Sequence, residues 1–96
     1  MSKVTLRSRP MAVSDLQVEE LDGEILVHDP DTQKTYNFNG TGAFVWSLCD
    51  GSHELREIVR GIEEAAPQTP REAIEDDVVS FVEELEDDGL LSMRDE

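Results

Sequence analysis

Cysteine and long apolar runs are both scarce in this chain of 96 residues. Cys49 is the only cysteine, so an internal disulfide framework and a thiolate set for structural zinc are excluded, and a buried small residue is the prediction. The apolar runs are only a few residues long, and residues 1–20 contain no continuous hydrophobic stretch. The sequence therefore predicts neither a signal peptide nor a membrane span, and a cytoplasmic location is the expectation.

Basic residues are few as well. The chain has 8 Lys plus Arg against 23 Asp plus Glu, which gives a formal net charge of −15. A surface of this sign repels the phosphates of nucleic acid, so no nucleic-acid partner is predicted and a basic partner is favoured. The length and the 38% apolar content fit one small domain with a modest core.

The side chains that could carry chemistry are not grouped in the sequence. His28 and His53 are far apart and have no partner at metal-ligand spacing, so each is interpreted as solvated or hydrogen-bonded. The adjacent acids Asp76 and Asp77 point in different directions on a helix, and a solvated acidic face explains them. Because no nucleophile lies beside a base and no phosphate loop occurs, the predictions are no enzyme, no metal and no cofactor.

Three strand patterns come before any helical pattern. The first alternates from Leu16 and ends at Asp22-Gly23, a dipeptide typical of a two-residue hairpin turn, and the second covers the apolar segment 24–29. A turn at Pro30 then leads to the alternating segment 34–38. The prediction is an antiparallel meander with one free edge on its first strand and another on its third.

From Asn39 onward the apolar spacing becomes helical. A short first helix is predicted to end at Asp50-Gly51. Ser52 is the predicted N-cap of a second helix, and Thr69 opens a predicted capping box for a third, which Gly89 ends.

Together these patterns predict an α+β fold, in which a three-stranded antiparallel β-meander is followed by three helices in a winged-helix-like arrangement. Residues 15–92 form the predicted domain. Residues 1–14 have no sustained pattern and are predicted to be an N-terminal arm whose order depends on packing elsewhere, and residues 93–96 are predicted to be a C-terminal tail.

Several features also occur together in one order. A strand ends at Phe38, an Asn-x-x-Gly turn follows at Asn39, Trp46 lies on the first helix, and Asp50-Gly51 stops it. With the later helices, this order over residues 15–91 resembles the PQQ synthesis protein D family of peptide-leader recognition domains.

The resemblance implies a domain that binds the leader of a ribosomally made precursor peptide and presents it to a modifying enzyme, often a radical SAM enzyme. The pathway would be that of pyrroloquinoline quinone or of another modified peptide. In the family the leader adds as a strand to the third strand and lies against the third helix. Carried over, the peptide-binding site is predicted to comprise Lys34, Thr35, Tyr36, Asn37 and Phe38 on the strand and residues among Asp76, Asp77, Ser80, Phe81, Glu84 and Leu85 on the helix.

Structural roles compete with binding roles at the aromatic positions. Phe44 and Trp46 are predicted to fill the core and not to contact a peptide. One face of the third strand, which includes Phe38, is predicted to belong to the core, and this leaves Thr35 and Asn37 exposed.

Other functions remain open at this stage. A winged-helix transcriptional regulator would have the same elements, although its recognition helix within Pro70–Asp88 would carry nine acids and one Arg. A protein-interaction adaptor is a further alternative. Since a free strand edge can pair with a second copy, monomer and homodimer are both open.

Overall fold

Five strands and three helices make up residues 4–94, the part of the chain that this computed structural model describes. One sheet has the order β2 (Gln17–Leu21), β3 (Glu24–Asp29), β4 (Lys34–Phe38), and a second sheet pairs β1 (Arg9–Ala12) with β5 (Leu91–Arg94). The predicted α+β fold, a meander followed by three helices, is therefore confirmed, whereas β1 and β5 were not predicted. The three helices lie between β4 and β5 in the chain: α1 (Gly40–Ser47), α2 (Leu55–Ala65) and α3 (Arg71–Asp87).

The β2–β3 hairpin turns at the predicted dipeptide. Asp22 and Gly23 have φ angles of 49° and 83°, the left-handed pair that a type I′ turn requires and that glycine adopts at low cost. Leu21 and Glu24 are register partners across this turn. In a two-residue hairpin such a closing pair exchanges both backbone hydrogen bonds, which fixes the direction of every backbone group along the meander.

The β3–β4 connection is held by Asp29. Its carbonyl oxygen accepts a hydrogen bond from the Gln33 amide at 2.8 Å, and its Oδ1 accepts one from the Asp31 amide at 3.0 Å. Lys34 then pairs with Asp29, so β4 returns antiparallel to β3 as predicted.

The core lies between one face of the meander and the three helices. Alternate strand residues and helix residues three or four apart supply it, as their periods require. Trp46 and Cys49 are buried as predicted, but Phe44 is 39% exposed, so its predicted core role is wrong. The other buried apolar residues are Ile25, Val27, Phe38, Ala43, Val45, Leu55, Ile58, Val59, Ile74, Val78, Val82, Leu85, Leu90 and Leu91.

The predicted N-cap of α2 is wrong. Glu54 is the N-cap, and Glu54 and Glu57 form a reciprocal capping box in which the Glu54 amide donates to Glu57 Oε1 at 2.8 Å. Ser52 instead donates its hydroxyl to Asp50 Oδ1 at 2.7 Å. The serine is therefore already engaged in the preceding turn, and the helix begins later, at Leu55.

The start of α3 also differs from the prediction. Its N-cap is Pro70, with no side-chain cap hydrogen bond, and the Pro70 carbonyl accepts from the amides of Ala73 and Ile74. Thr69 lies one position too early for a capping box, and its amide donates to the Ala66 carbonyl at 3.1 Å in the turn after α2.

Gly89 ends α3 as predicted. The Gly89 amide donates to the Glu86 carbonyl and the Leu90 amide to the Leu85 carbonyl, the two bonds of a Schellman motif. Across residues 4–94, none of the helices combines the length and the apolar character needed to cross a bilayer.

The segment predicted as an N-terminal arm is joined to the rest of the fold in its described part. The carbonyls of Ser8 and Leu6 accept hydrogen bonds from the first two amides of α2 at 3.0 and 2.9 Å. Further along, Arg9 is the register partner of Arg94 in the β1–β5 pair. The arm thus satisfies helix-start amides that would otherwise lack partners.

Candidate functional site

Two side-chain contacts join β4 to α3. The Phe38 and Phe81 rings meet edge to face, with centroids 5.3 Å apart and an interplanar angle of 75°. Towards the end of α3, the Tyr36 hydroxyl donates to Asp88 Oδ2 at 3.3 Å. These two contacts define what we call the β4–α3 groove, and they show that β4 and α3 run past each other in opposite directions.

The strand wall of the groove is a free sheet edge. Because the Leu21–Glu24 pair closes the first hairpin, alternation along β3 directs the backbone groups of Phe38 and Tyr36 towards β3. The backbone N–H and C=O groups of Thr35 and Asn37 consequently point away from the sheet. They offer two donors and two acceptors to an added strand.

The side chains of β4 follow the predicted alternation. Phe38 is buried, Tyr36 is half-buried, and both lie on the core face. Lys34, Thr35 and Asn37 are exposed, which confirms the predicted exposure of Thr35 and Asn37.

The helix wall is one stripe of α3. Phe81 and Asp88 make the contacts with β4, and positions three or four residues apart share a helix face. Asp77 and Glu84 therefore lie on this groove-facing stripe as well. Both carboxylate residues are exposed.

The remaining predicted helix residues lie elsewhere on α3. Ser80 is exposed and lies three residues after Asp77 and four before Glu84, so it borders the stripe on its solvent side. Asp76 is exposed as well, but it is about 100° around the helix from Asp77. Leu85 is 4% exposed and belongs to the core. The structure thus brings Asp77, Phe81 and Glu84 to the groove, places Ser80 at its border, and turns Asp76 and Leu85 away from it.

Residues beyond the predicted set complete the groove. Asp88 lies four residues after Glu84, so helical spacing indicates it once the side of α3 that faces β4 is known. At the other end of the groove, a hollow of about 230 Å³ opens between α1 and α3. Gly42 lies beside the Phe81 ring there, and a Cβ at this glycine would be in ordinary contact with the ring at 3.6 Å. The hollow is lined by Thr41, Gly42, Val45, Asp77, Val78 and Phe81.

The helix wall of the groove carries negative charge at Asp77, Glu84 and Asp88, which we call the acidic stripe. Desolvation first, and then the charge and hydrogen bond of Asp88, raise the pKa of the Tyr36 hydroxyl. Within residues 4–94, the ion pairs of arginine join Glu54, Glu63 and Glu75, and none of them involves Asp77 or Glu84. The acidic stripe therefore has no basic partner in the described part of the chain.

Cys49, His28 and His53 are engaged in structural contacts. Burial first, and the Asp50 charge second, raise the pKa of the Cys49 thiol to about 12. His28 Nδ1 lies 2.9 Å from Thr35 Oγ1, and His53 Nδ1 lies 3.0 Å from Asp50 Oδ1, so the hydrogen-bonded interpretation of both histidines is confirmed. Residues 4–94 contain no group of three or more His, Cys, Asp or Glu side chains placed to hold a metal ion.

Comparison with known proteins identifies a family and two similar structures. The family model described as coenzyme PQQ synthesis protein D (PqqD) matches residues 24–91. The solved structure of TbiB1 in complex with the TbiA(beta) leader peptide has a TM-score of 0.77 and 22% identity, and the match covers 85% of this chain and 94% of that one. A lasso peptide synthetase B1 complexed with the leader peptide has a TM-score of 0.75 and 15% identity, with coverage of 88% and 98%. Among curated proteins there is no significant match.

Proposed function

The chain belongs to the coenzyme PQQ synthesis protein D family, and on this premise we propose that it is a peptide-binding chaperone for the leader of a ribosomally made precursor peptide. The observation that carries the proposal is the free edge of β4, where the backbone groups of Thr35 and Asn37 point into a groove walled by α3. An added strand pairs with such an edge whatever its sequence, while the side-chain contacts beside it provide selectivity. The two structures of similar fold were both determined with a leader peptide bound.

In this proposal the domain contributes no chemistry of its own and presents the bound peptide to a modifying enzyme in the cytoplasm. The buried Cys49 thiol, with a pKa of about 12, is a poor nucleophile at neutral pH. The family resemblance favours a radical SAM enzyme as the partner, in the synthesis of pyrroloquinoline quinone or of another modified peptide. A nucleic-acid-binding role has less support, because Pro70–Asp88 carries nine acids and one Arg.

An NMR titration tests the proposal directly. Isotope-labelled protein is titrated with leader peptides encoded beside its gene, and backbone amide shifts are followed along β4 and α3. We expect saturable shifts at Thr35, Asn37 and Phe81, because these residues line the groove. Saturable shifts confined to other surfaces would overturn the site, and no shift with any neighbouring leader would overturn the function.

A further inference from the structure

The acidic stripe of α3 stands beside an apolar groove floor. Asp77 and Glu84 are exposed and lie on either side of Phe81 along the helix, and the Phe81 ring packs against Phe38. At the Asp77 end, the hollow of about 230 Å³ is lined mainly by apolar groups, with the Asp77 carboxylate at its rim. An apolar cavity edged by one carboxylate suits a side chain with a methylene stem and a cationic head.

The spacing along the helix can be compared with that of an added strand. At a rise of about 1.5 Å per residue, Asp77 lies about 6 Å from Phe81 along the axis, and Glu84 lies about 4.5 Å from Phe81 on the other side. On a strand, side chains that share a face are about 6.6 Å apart. A strand paired with β4 therefore places three successive same-face side chains near Asp77, Phe81 and Glu84, and flexible side chains absorb the remaining difference.

We propose that the β4–α3 groove selects leader segments of the pattern basic–x–apolar–x–basic, which presupposes the strand addition proposed above. The apolar side chain packs on Phe81, and the two basic side chains reach Asp77 and Glu84. The basic stems lie over the aromatic floor, where lower local polarity strengthens each ion pair relative to one in open water. Asp88 is less available to a basic side chain of the peptide, because its Oδ2 already accepts a hydrogen bond from the Tyr36 hydroxyl. It also lies at the end of the groove where β4 begins with Lys34.

Three synthetic peptides with identical flanks test this selection by isothermal titration calorimetry. The first contains Lys-Thr-Leu-Thr-Lys. The second contains Thr-Lys-Leu-Lys-Thr, which has the same composition but turns both lysines to the opposite strand face when the leucine stays on Phe81. The third contains Gln-Thr-Leu-Thr-Gln. We expect the first to bind about fivefold more tightly than either of the others, as two partly exposed ion pairs would give.

Two protein variants assign the preference to the stripe. Asp77→Asn combined with Glu84→Gln should abolish the preference, so that the first and second peptides bind with about equal affinity. Asp76→Asn combined with Glu83→Gln removes the same charge from the same helix. Each of these positions is about 100° around the helix from the neighbouring stripe residue, and neither lies three or four residues from any residue of the stripe. This matched control should keep the full preference, and backbone amide spectra check that both variants are folded.

The outcomes separate this inference from the function on which it rests. Equal affinities for the first two peptides, with amide shifts at Thr35 and Asn37, would overturn charge selection and leave strand addition in place. An equal loss of preference in both double variants would also overturn the inference, because the preference would then not depend on the two carboxylates of the stripe. No saturable binding of any peptide would overturn charge selection together with strand addition.

Discussion

At the scale of the residue, two helical glycines differ in what surrounds them. A Cβ at Gly42 in α1 would meet the Phe81 ring at 3.6 Å and Phe38 Cβ at 3.8 Å, which are ordinary contact distances. A Cβ at Gly61 in α2 would lie 2.8 Å from Phe44 Cζ. The half-exposed Phe44 therefore rests on Gly61, and this contact explains its position better than the core role that its apolar character suggested.

We predict that Gly42→Ala stabilises the protein by about 0.5 kcal/mol, because alanine gains helix propensity and fits the space present. Gly61→Ala is the matched comparison. It should gain less or lose stability, since the Phe44 ring must move. Urea unfolding midpoints of the two variants check this, and a larger gain for Gly61→Ala would contradict it.

The Asp50 carboxylate gives a prediction on pH. The amide and hydroxyl of Ser52 both donate to Asp50 Oδ1, at 2.9 and 2.7 Å, and these bonds, the amide bond first, hold the pKa of Asp50 at about 2 against an ordinary 3.8. Because the folded pKa is below the unfolded one, the stabilisation is complete above about pH 4 and is lost as the pH falls towards 2. A carboxyl NMR titration should give an Asp50 midpoint near 2, which rises in Ser52→Ala. A midpoint of 3.8 in the unsubstituted protein would refute the prediction.

At the scale of the element, local patterns were enough for most of the fold. Alternation and the Asp22-Gly23 turn predicted the meander, and helical spacing predicted all three helices within a few residues of their ends. The strands β1 and β5 escaped prediction because each has four residues and its partner lies at the other end of the chain. The start of α2 also depends on the arm, through the carbonyls of Ser8 and Leu6.

In the candidate site, the sequence predicted the strand residues better than the helix residues. Strand period alone predicted that Thr35 and Asn37 are exposed, because a strand on one core face has only two faces. A helix presents many directions, and the side of α3 that meets β4 is set by tertiary packing through Phe81 and Asp88. For this reason the predicted helix set included Asp76, which lies off the stripe, and left out Asp88.

The two free edges of the meander give a matched pair of backbone variants. Thr35→Pro removes an outward-pointing donor from β4, and Glu20→Pro removes the equivalent donor from β2, since Glu20 pairs with Ile25. We expect Thr35→Pro to weaken leader binding about tenfold, the value of one lost hydrogen bond with local strain. Glu20→Pro should leave binding unchanged.

Calorimetry with a leader peptide that binds the unsubstituted protein measures this difference, and amide spectra show whether each variant is folded. A folded Thr35→Pro variant with unaltered affinity would exclude β4 as the pairing edge. Equal weakening in both variants would mean that proline acts through general destabilisation.

At the scale of the whole molecule, the net charge of −15 affects the rate at which a basic partner associates more than it affects the stability of the bound complex. Long-range attraction raises the association rate of a basic partner and is screened by salt, while close contacts govern dissociation. We predict that raising the ionic strength from about 0.05 to about 0.5 M slows association with a basic leader about tenfold and changes the dissociation rate little. Stopped-flow measurements at the two salt concentrations check this, and a salt-independent association rate would count against it.

The pairing of Arg9 with Arg94 closes the described chain almost into a ring. A linker across this junction, with the chain reopened in the exposed turn at 67–70, would give a circular permutant that keeps every strand and helix intact. In that permutant α3 would be synthesised before β4, so the two walls of the groove would emerge from the ribosome in reversed order. Because the shape of the groove depends on which surfaces of β4 and α3 pack together, we expect it to form whichever element comes first in the chain.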